Sequence, residues 1–160
     1  MSAVVLGLLA IAGGWALLTS GAVTAIALRS GRGSASNPMP PAVSVLKPLC
    51  GRDPSLADHL RSFFEQDHPR LQLVFGVADP HDPALEVVRA LREEFPRVDA
   101  VVVVHAFREG HNPKVRNLRG MLPHAKHPLL LVSDSNVRAP ADYVREACER
   151  WQASSDVGLV

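Results

Sequence analysis

An aspartate at the end of a buried strand is costly to desolvate unless a positive partner meets it. Asp134 is in that position, because Ser133-Asp134-Ser135-Asn136 directly follows the apolar run Leu129–Val132. A divalent cation bridging a diphosphate is one such partner, and oxygen ligands suit Mg²⁺ or Mn²⁺. The alternative is an Asx-turn into the next helix. Asp79 closes another apolar run, in Val-Ala-Asp-Pro-His-Asp-Pro, where ligand binding and turn formation account for it equally well. Asp82 reads as a helix cap, with Pro83 in the first turn behind it. Asn112-Pro113-Lys114 opens a helical stretch, so an ammonium and a helix N-terminus together could meet phosphate charge; a solvated surface lysine is the plainer reading. Lys47 stands where the first apolar run ends.

Other chemistries fit poorly. His124 and His127 are three apart but have no carboxylate or cysteine beside them, which argues against zinc. There is no serine-nucleophile motif and no dinucleotide fingerprint. Cys50 follows a strand without an assigned base, and such thiols are usually structural. The Gly31-Arg-Gly-Ser34 stretch has no strand before it, so it does not read as a phosphate loop.

Alternating short apolar runs and amphipathic stretches must position these residues. Val43–Leu46, Leu71–Val77, Ala100–His105, Leu129–Val132 and Val157–Val160 read as strands. The third is rich in valine and reads as buried on both faces. Helices are expected from Asp53-Pro54 through Phe64, from Asp82-Pro83 to Phe95, from Pro113 to Leu122 and from Pro140 through Trp151. Strand and helix alternating throughout is the pattern of an α/β domain with a mostly parallel sheet. Ligands then bind at the carboxyl ends of the strands. Lys47, Asp79 and Asp134 all stand there. Asp79 and Asp134 follow what read as adjacent strands, so both are expected to face one crevice.

Composition sets the boundaries. The chain has 160 residues, 17 Lys+Arg against 16 Asp+Glu, and a net charge of +1. That balance argues against a nucleic-acid partner, and a hydrophobic content of 47% argues against a disordered chain. No charge precedes Arg29. The run Ala3–Leu28 is long enough for the ~20 apolar residues that cross a bilayer. It is longer than the ~7–15 apolar residues of a signal peptide and lacks a basic start. Residues 1–28 are therefore expected to form a transmembrane helix and 29–42 a linker. Arg29 and Arg32 would hold the domain over 43–160 on the cytoplasmic side of the cell (inner) membrane. Cys50 and Cys148 would stay reduced there.

Taken together, the motifs resemble a known family. They are Val43-Ser-Val-Leu-Lys-Pro-Leu49 with Gly51 and Asp53; Phe63-Phe64-Glu-Gln-Asp67 with Pro69; Val77-Ala-Asp79 with Asp82-Pro83-Ala84; Gly110-His-Asn112-Pro113-Lys114-Val-Arg-Asn117-Leu118; and Ser133-Asp134-Ser135. Their order resembles that of ceramide glucosyltransferases and their bacterial relatives in glycosyltransferase families 2 and 21, including hopanoid-associated enzymes. The match runs from about Val43 to Tyr143.

The resemblance implies a Rossmann-like GT-A nucleotide-sugar-binding domain, of which this chain holds the N-terminal part. It implies a membrane-anchored enzyme that takes a UDP-sugar donor and a lipid acceptor such as ceramide or a hopanoid. Asp79 would face the uracil end of the donor. Asp134 would lie near the diphosphate and its Mg²⁺ or Mn²⁺. Asn112 and Lys114 would lie beside the nucleotide or diphosphate, and Lys47 would line the nucleotide pocket. Asn136 replaces an acid found in many related glycosyltransferases, and the ceramide-type branch lacks that acid too. Arg116 stands where eukaryotic members often have Asn. The family's catalytic base is expected downstream of Val160, so no catalytic residue is assigned within this chain. The alternatives are a non-catalytic fragment that keeps a nucleotide-sugar half-site and a polysaccharide-type glycosyltransferase.

Overall fold

The computed structural model describes residues 39–105 and 111–153. The expected span over 1–28, most of the linker over 29–42 and the expected strand Val157–Val160 lie outside those residues. Among the described residues, no helix is long and apolar enough to cross a membrane.

Among the described residues, four strands form one parallel sheet: β1 (Val43–Pro48), β2 (Leu71–Val77), β3 (Asp99–Val104) and β4 (Leu129–Val132). Helices α1 (Leu56–Phe64), α2 (Ala84–Glu94), α3 (Pro113–Met121) and α4 (Tyr143–Gln152) alternate with them, and a 3₁₀ turn over Leu122–His124 follows α3. The spatial order is β3-β2-β1-β4. The first two crossovers step outward from β1. The third returns past β2 and β1 to lay β4 on the far side. This reversal is a topological switch point, and it opens a crevice between the carboxyl ends of β1 and β4.

Strand alternation divides the interior in two. Val45, Leu73, Phe75 and Val77 pack with Leu60, Phe63, Leu85, Val88 and Leu91, which places α1 and α2 on one face. Phe64 stacks on Phe75 with ring centroids 5.6 Å apart. Leu46, Val74 and Val103 point the other way and meet Met121 of α3. Each fully buried Leu or Phe contributes about 1.5–3 kcal/mol, so the α1–α2 face carries most of the apolar stabilisation.

β3 packs on both faces, with Ala100 and Val102 on the α1–α2 side and Val101 and Val103 on the Met121 side. Among the described residues it is the edge of the sheet, so Val101 and Val102 are only half-buried and Val104 is exposed. The structure corrects two expectations. The strands before Asp79 and Asp134 are not neighbours, because β1 lies between β2 and β4. α1 begins at Leu56 rather than at Asp53-Pro54: Asp53 Oδ1 accepts from Ser55 N (2.8 Å) and bends the chain into the helix from outside.

Candidate functional site

Lys47 lies on the α1 side of β1 and is fully buried. Its Nζ donates to Ser133 Oγ (3.1 Å) and to the Asp134 carbonyl (2.8 Å), and it sits 3.5 Å from the centroid of the Phe63 ring. Burial disfavours the charged form and lowers the Lys47 pKa from 10.5 to about 7, with Asp134 opposing the shift.

α3 delivers Lys114. Asn112 Oδ1 caps the helix, accepting from Lys114 N (3.0 Å) and Val115 N (3.3 Å), with Pro113 in the first turn. The Lys114 ammonium pairs with Asp134 Oδ1. Both side chains are about half exposed, at 48% and 53%, so the pair is worth only ~0–1 kcal/mol and exchanges readily. Lys47, Asn112, Lys114 and Asp134 are thus brought together at the switch point. Asp79 stands apart, at the end of β2 and beyond β1. Its Oδ1 accepts from His81 N (2.8 Å) and its carbonyl from Asp82 N (3.1 Å), both inside its own turn.

Among the described residues, no three His, Cys, Asp or Glu side chains gather as a metal cage. The arrangement around Asp134 suits a different kind of site. A single accessible carboxylate at a strand end can hold a hard cation that arrives with phosphates and keeps its own waters. Lys114 is the only ion-pair partner of that carboxylate among the described residues, and both side chains are accessible.

Some residues that hold this site had no role assigned from sequence. Ser133 shares the Lys47 ammonium with Asp134. Asn117 is buried on α3, and its Nδ2 donates to the carbonyls of Gly76 (2.8 Å) and Leu49 (3.3 Å) while its Oδ1 lies 3.0 Å from His105 Nε2. This seats α3 on the carboxyl ends of β1 and β2, one helical turn from Lys114. Gly76 makes the seat possible, since a Cβ there would run into Asn117 Oδ1 and the Met121 side chain. A glycine inside the apolar run Leu71–Val77 was the available signal, because such a glycine often marks close backbone approach. Asp82 does more than cap α2 at Ala84 N (2.9 Å). Its carboxylate also takes the N–H of Gly51 (2.9 Å), which turns with φ 72°.

The family model for glycosyl transferase family 21 matches residues 6–160. The chain belongs to that family. Among similar proteins, ceramide glucosyltransferase 3 of Caenorhabditis elegans is 33% identical over 120 residues, covering 75% of this chain and 26% of that protein. Ceramide glucosyltransferase of Candida albicans is 36% identical over 117 residues, covering 66% of this chain and 22% of that protein. The chain therefore spans about a quarter of the length of these relatives. Among solved structures, the mannosyltransferase PcManGT from Pyrobaculum calidifontis, in complex with GDP-Man and Mn²⁺, aligns with a TM-score of 0.64 at 25% identity, over 93% of this chain and 45% of that one. S. aureus TarS in complex with UDP-GlcNAc aligns with a TM-score of 0.56 at 19% identity, over 74% of this chain and 37% of that one. The family 21 domain is thus an α/β domain with a GT-A-like parallel sheet.

Proposed function

We propose that this chain carries the donor side of a membrane-anchored lipid glycosyltransferase. In this reading it binds a UDP-sugar, and the whole enzyme passes the sugar to a lipid such as ceramide or a hopanoid. The observation that carries the reading is the cluster at the switch point, where Asp134 is held through its backbone by Lys47 and through its carboxylate by Lys114.

The division of labour follows from charge. A diphosphate brings two or more negative charges into the crevice, and Lys114 at the capped start of α3 meets them. Asp134 holds the Mg²⁺ or Mn²⁺ that accompanies the diphosphate. When bound, that cation would supply Lewis-acid stabilisation of a diphosphate leaving group. Asn112 keeps the first turn of α3 aimed at the crevice. Asp79 takes the nucleoside end across β1. The relatives named as ceramide glucosyltransferases support the choice of a lipid acceptor. Residues 1–28 serve as the membrane anchor, 29–42 as the linker, and 43–160 as the cytoplasmic donor domain, consistent with the first charges falling at Arg29 and Arg32. No residue of this chain is assigned as the catalytic base.

Titration calorimetry of the 160-residue chain tests the reading. UDP and UDP-glucose should bind with Mn²⁺ and lose most of their affinity when EDTA replaces the metal, and GDP should bind more weakly. Binding that ignores both the metal and the base would overturn the donor assignment.

A further inference from the structure

β4 is short, and its pairing with β1 ends at Leu46↔Val132. The last ladder bond runs from Ser133 N to the Leu46 carbonyl, at 3.1 Å. The chain then turns outward, and Asp134 has no further backbone pairing with the sheet among the described residues. Its carbonyl accepts from Val137 N (3.3 Å), a bond inside the same turn. The tie between Asp134 and β1 is the Lys47 ammonium, at 2.8 Å.

That ammonium is engaged inside the protein. A lysine has three N–H donors. Two go to Ser133 Oγ and the Asp134 carbonyl, and the cation also lies over the Phe63 ring at 3.5 Å from its centroid. The side chain is wholly shielded from solvent. Enclosed in this way, it has no open path to a phosphate.

Burying a lysine is costly for stability, and an apolar pair of similar volume could fill the same space. Methionine nearly matches the length of lysine and adapts to its surroundings. What methionine cannot do is hold the outgoing turn of β4 against β1.

We infer that Lys47 is a positioning residue for the metal-dependent part of donor binding, acting through the Asp134 turn and not by touching the nucleotide. This rests on the donor-site reading above and deepens it. Lys47 keeps the Asp134 carboxylate facing Lys114 and the crevice. An unpinned turn would have to be ordered again each time the cation and diphosphate arrive. A purely structural role for Lys47 would weaken binding with and without the metal alike, and a positioning role would not.

The test uses the full 160-residue chain as wild type, Lys47→Met and Ser133→Ala. Thermal unfolding without ligand is measured first, then UDP affinity with Mn²⁺ and with EDTA. Lys47→Met leaves the buried Ser133 hydroxyl without its partner and should lower the melting temperature by a few degrees, and it should weaken UDP binding with Mn²⁺ by about 10–100-fold, the usual effect of removing a group that orients a metal ligand. Its affinity in EDTA should stay within about twofold of wild type, on the ordinary scatter for a group that makes no direct contact. Ser133→Ala leaves the lysine bonded to the Asp134 carbonyl and should show a smaller loss of the same kind. Failure of the wild type to bind UDP with Mn²⁺ would overturn the donor reading, and this inference with it. Wild-type binding with an unaltered Lys47→Met would overturn this inference alone. So would equal losses with Mn²⁺ and EDTA, which indicate direct nucleotide contact, or a Lys47→Met chain that does not fold while Ser133→Ala does.

Discussion

Asp79 and Asp134 both leave a parallel strand at its carboxyl end, yet they are held by different means. Asp79 is fixed by its own turn, through the N–H groups of His81 and Asp82. Asp134 is fixed by residues distant in the chain: Lys47, 87 positions away, grips its carbonyl, and Lys114 at the start of α3 grips its carboxylate. The first arrangement needs only a few consecutive residues. The second needs β1, β4 and α3 to be in place together. Asp134 should therefore respond to changes anywhere in that assembly, while Asp79 should respond only to changes nearby.

The largest effect is expected at Asp134 itself. Asp134→Ala should weaken metal-dependent UDP binding by roughly 100-fold, about 2.8 kcal/mol, with the fold retained. Calorimetry alongside circular dichroism measures both quantities. Next comes Gly76→Ala, which touches neither aspartate. The added methyl collides with Asn117 and Met121, so α3 must shift. Overpacking of this kind costs about 1–3 kcal/mol. The denaturant midpoint should fall, and metal-dependent UDP binding should fall with it because Lys114 moves with the helix. If stability drops while binding holds, Asp134 is less dependent on α3 than the contrast between the two aspartates implies.

Asp82→Ala removes the α2 cap and the hold on Gly51. It should cost about 1 kcal/mol of stability and leave UDP binding nearly unchanged. Asp79→Ala should do the reverse. The stability loss stays below about 0.5 kcal/mol because the turn is exposed, while UDP affinity falls by about fivefold, equally with Mn²⁺ and with EDTA. A metal-dependent loss in Asp79→Ala would erase the distinction between the two aspartates.

The smallest effect lies far from both. His68 is nearly buried, its Nδ1 accepts from Arg70 N (3.3 Å), and its Nε2 is enclosed without a hydrogen-bond partner among the described residues. Burial, with help from Arg70 and His127 and against Asp67, lowers its pKa below 6.5. The unfolded chain then binds the proton more readily than the folded one. This contribution to stability is present above about pH 6.5 and is lost as pH falls from there toward the lower folded value. Denaturant midpoints between pH 7.5 and 5 should decline, and less steeply in His68→Gln. Asp134 and Asp79 should not affect that slope.

Much of this arrangement was legible in one dimension because its causes are local. Leu71–Val77 and Leu129–Val132 read as strands from their apolar runs, and both are strands over those residues. Asn112-Pro113 at the start of α3 and Asp82-Pro83 before α2 are capping devices that a few consecutive residues specify. How completely β3 is covered was not legible, because a run of valines looks alike in a central strand and at an edge. Which strand is an edge depends on where the third crossover goes, and no local pattern records that.

The sequence by itself determined the alternation of strands and helices, the caps, and the placing of Lys47, Asp79 and Asp134 at strand ends. Hydrophobic periodicity and turn chemistry act over a few residues and can be read from them. Only the tertiary structure decided that β1 stands between the two aspartates and that Lys47 lies beneath Asp134 in contact with Phe63. It also decided that Gly76 makes room for Asn117 to seat the helix carrying Lys114. Those relations come from strand order and from close packing between segments distant in the chain. They exist only once β4 has crossed to the far side of β1.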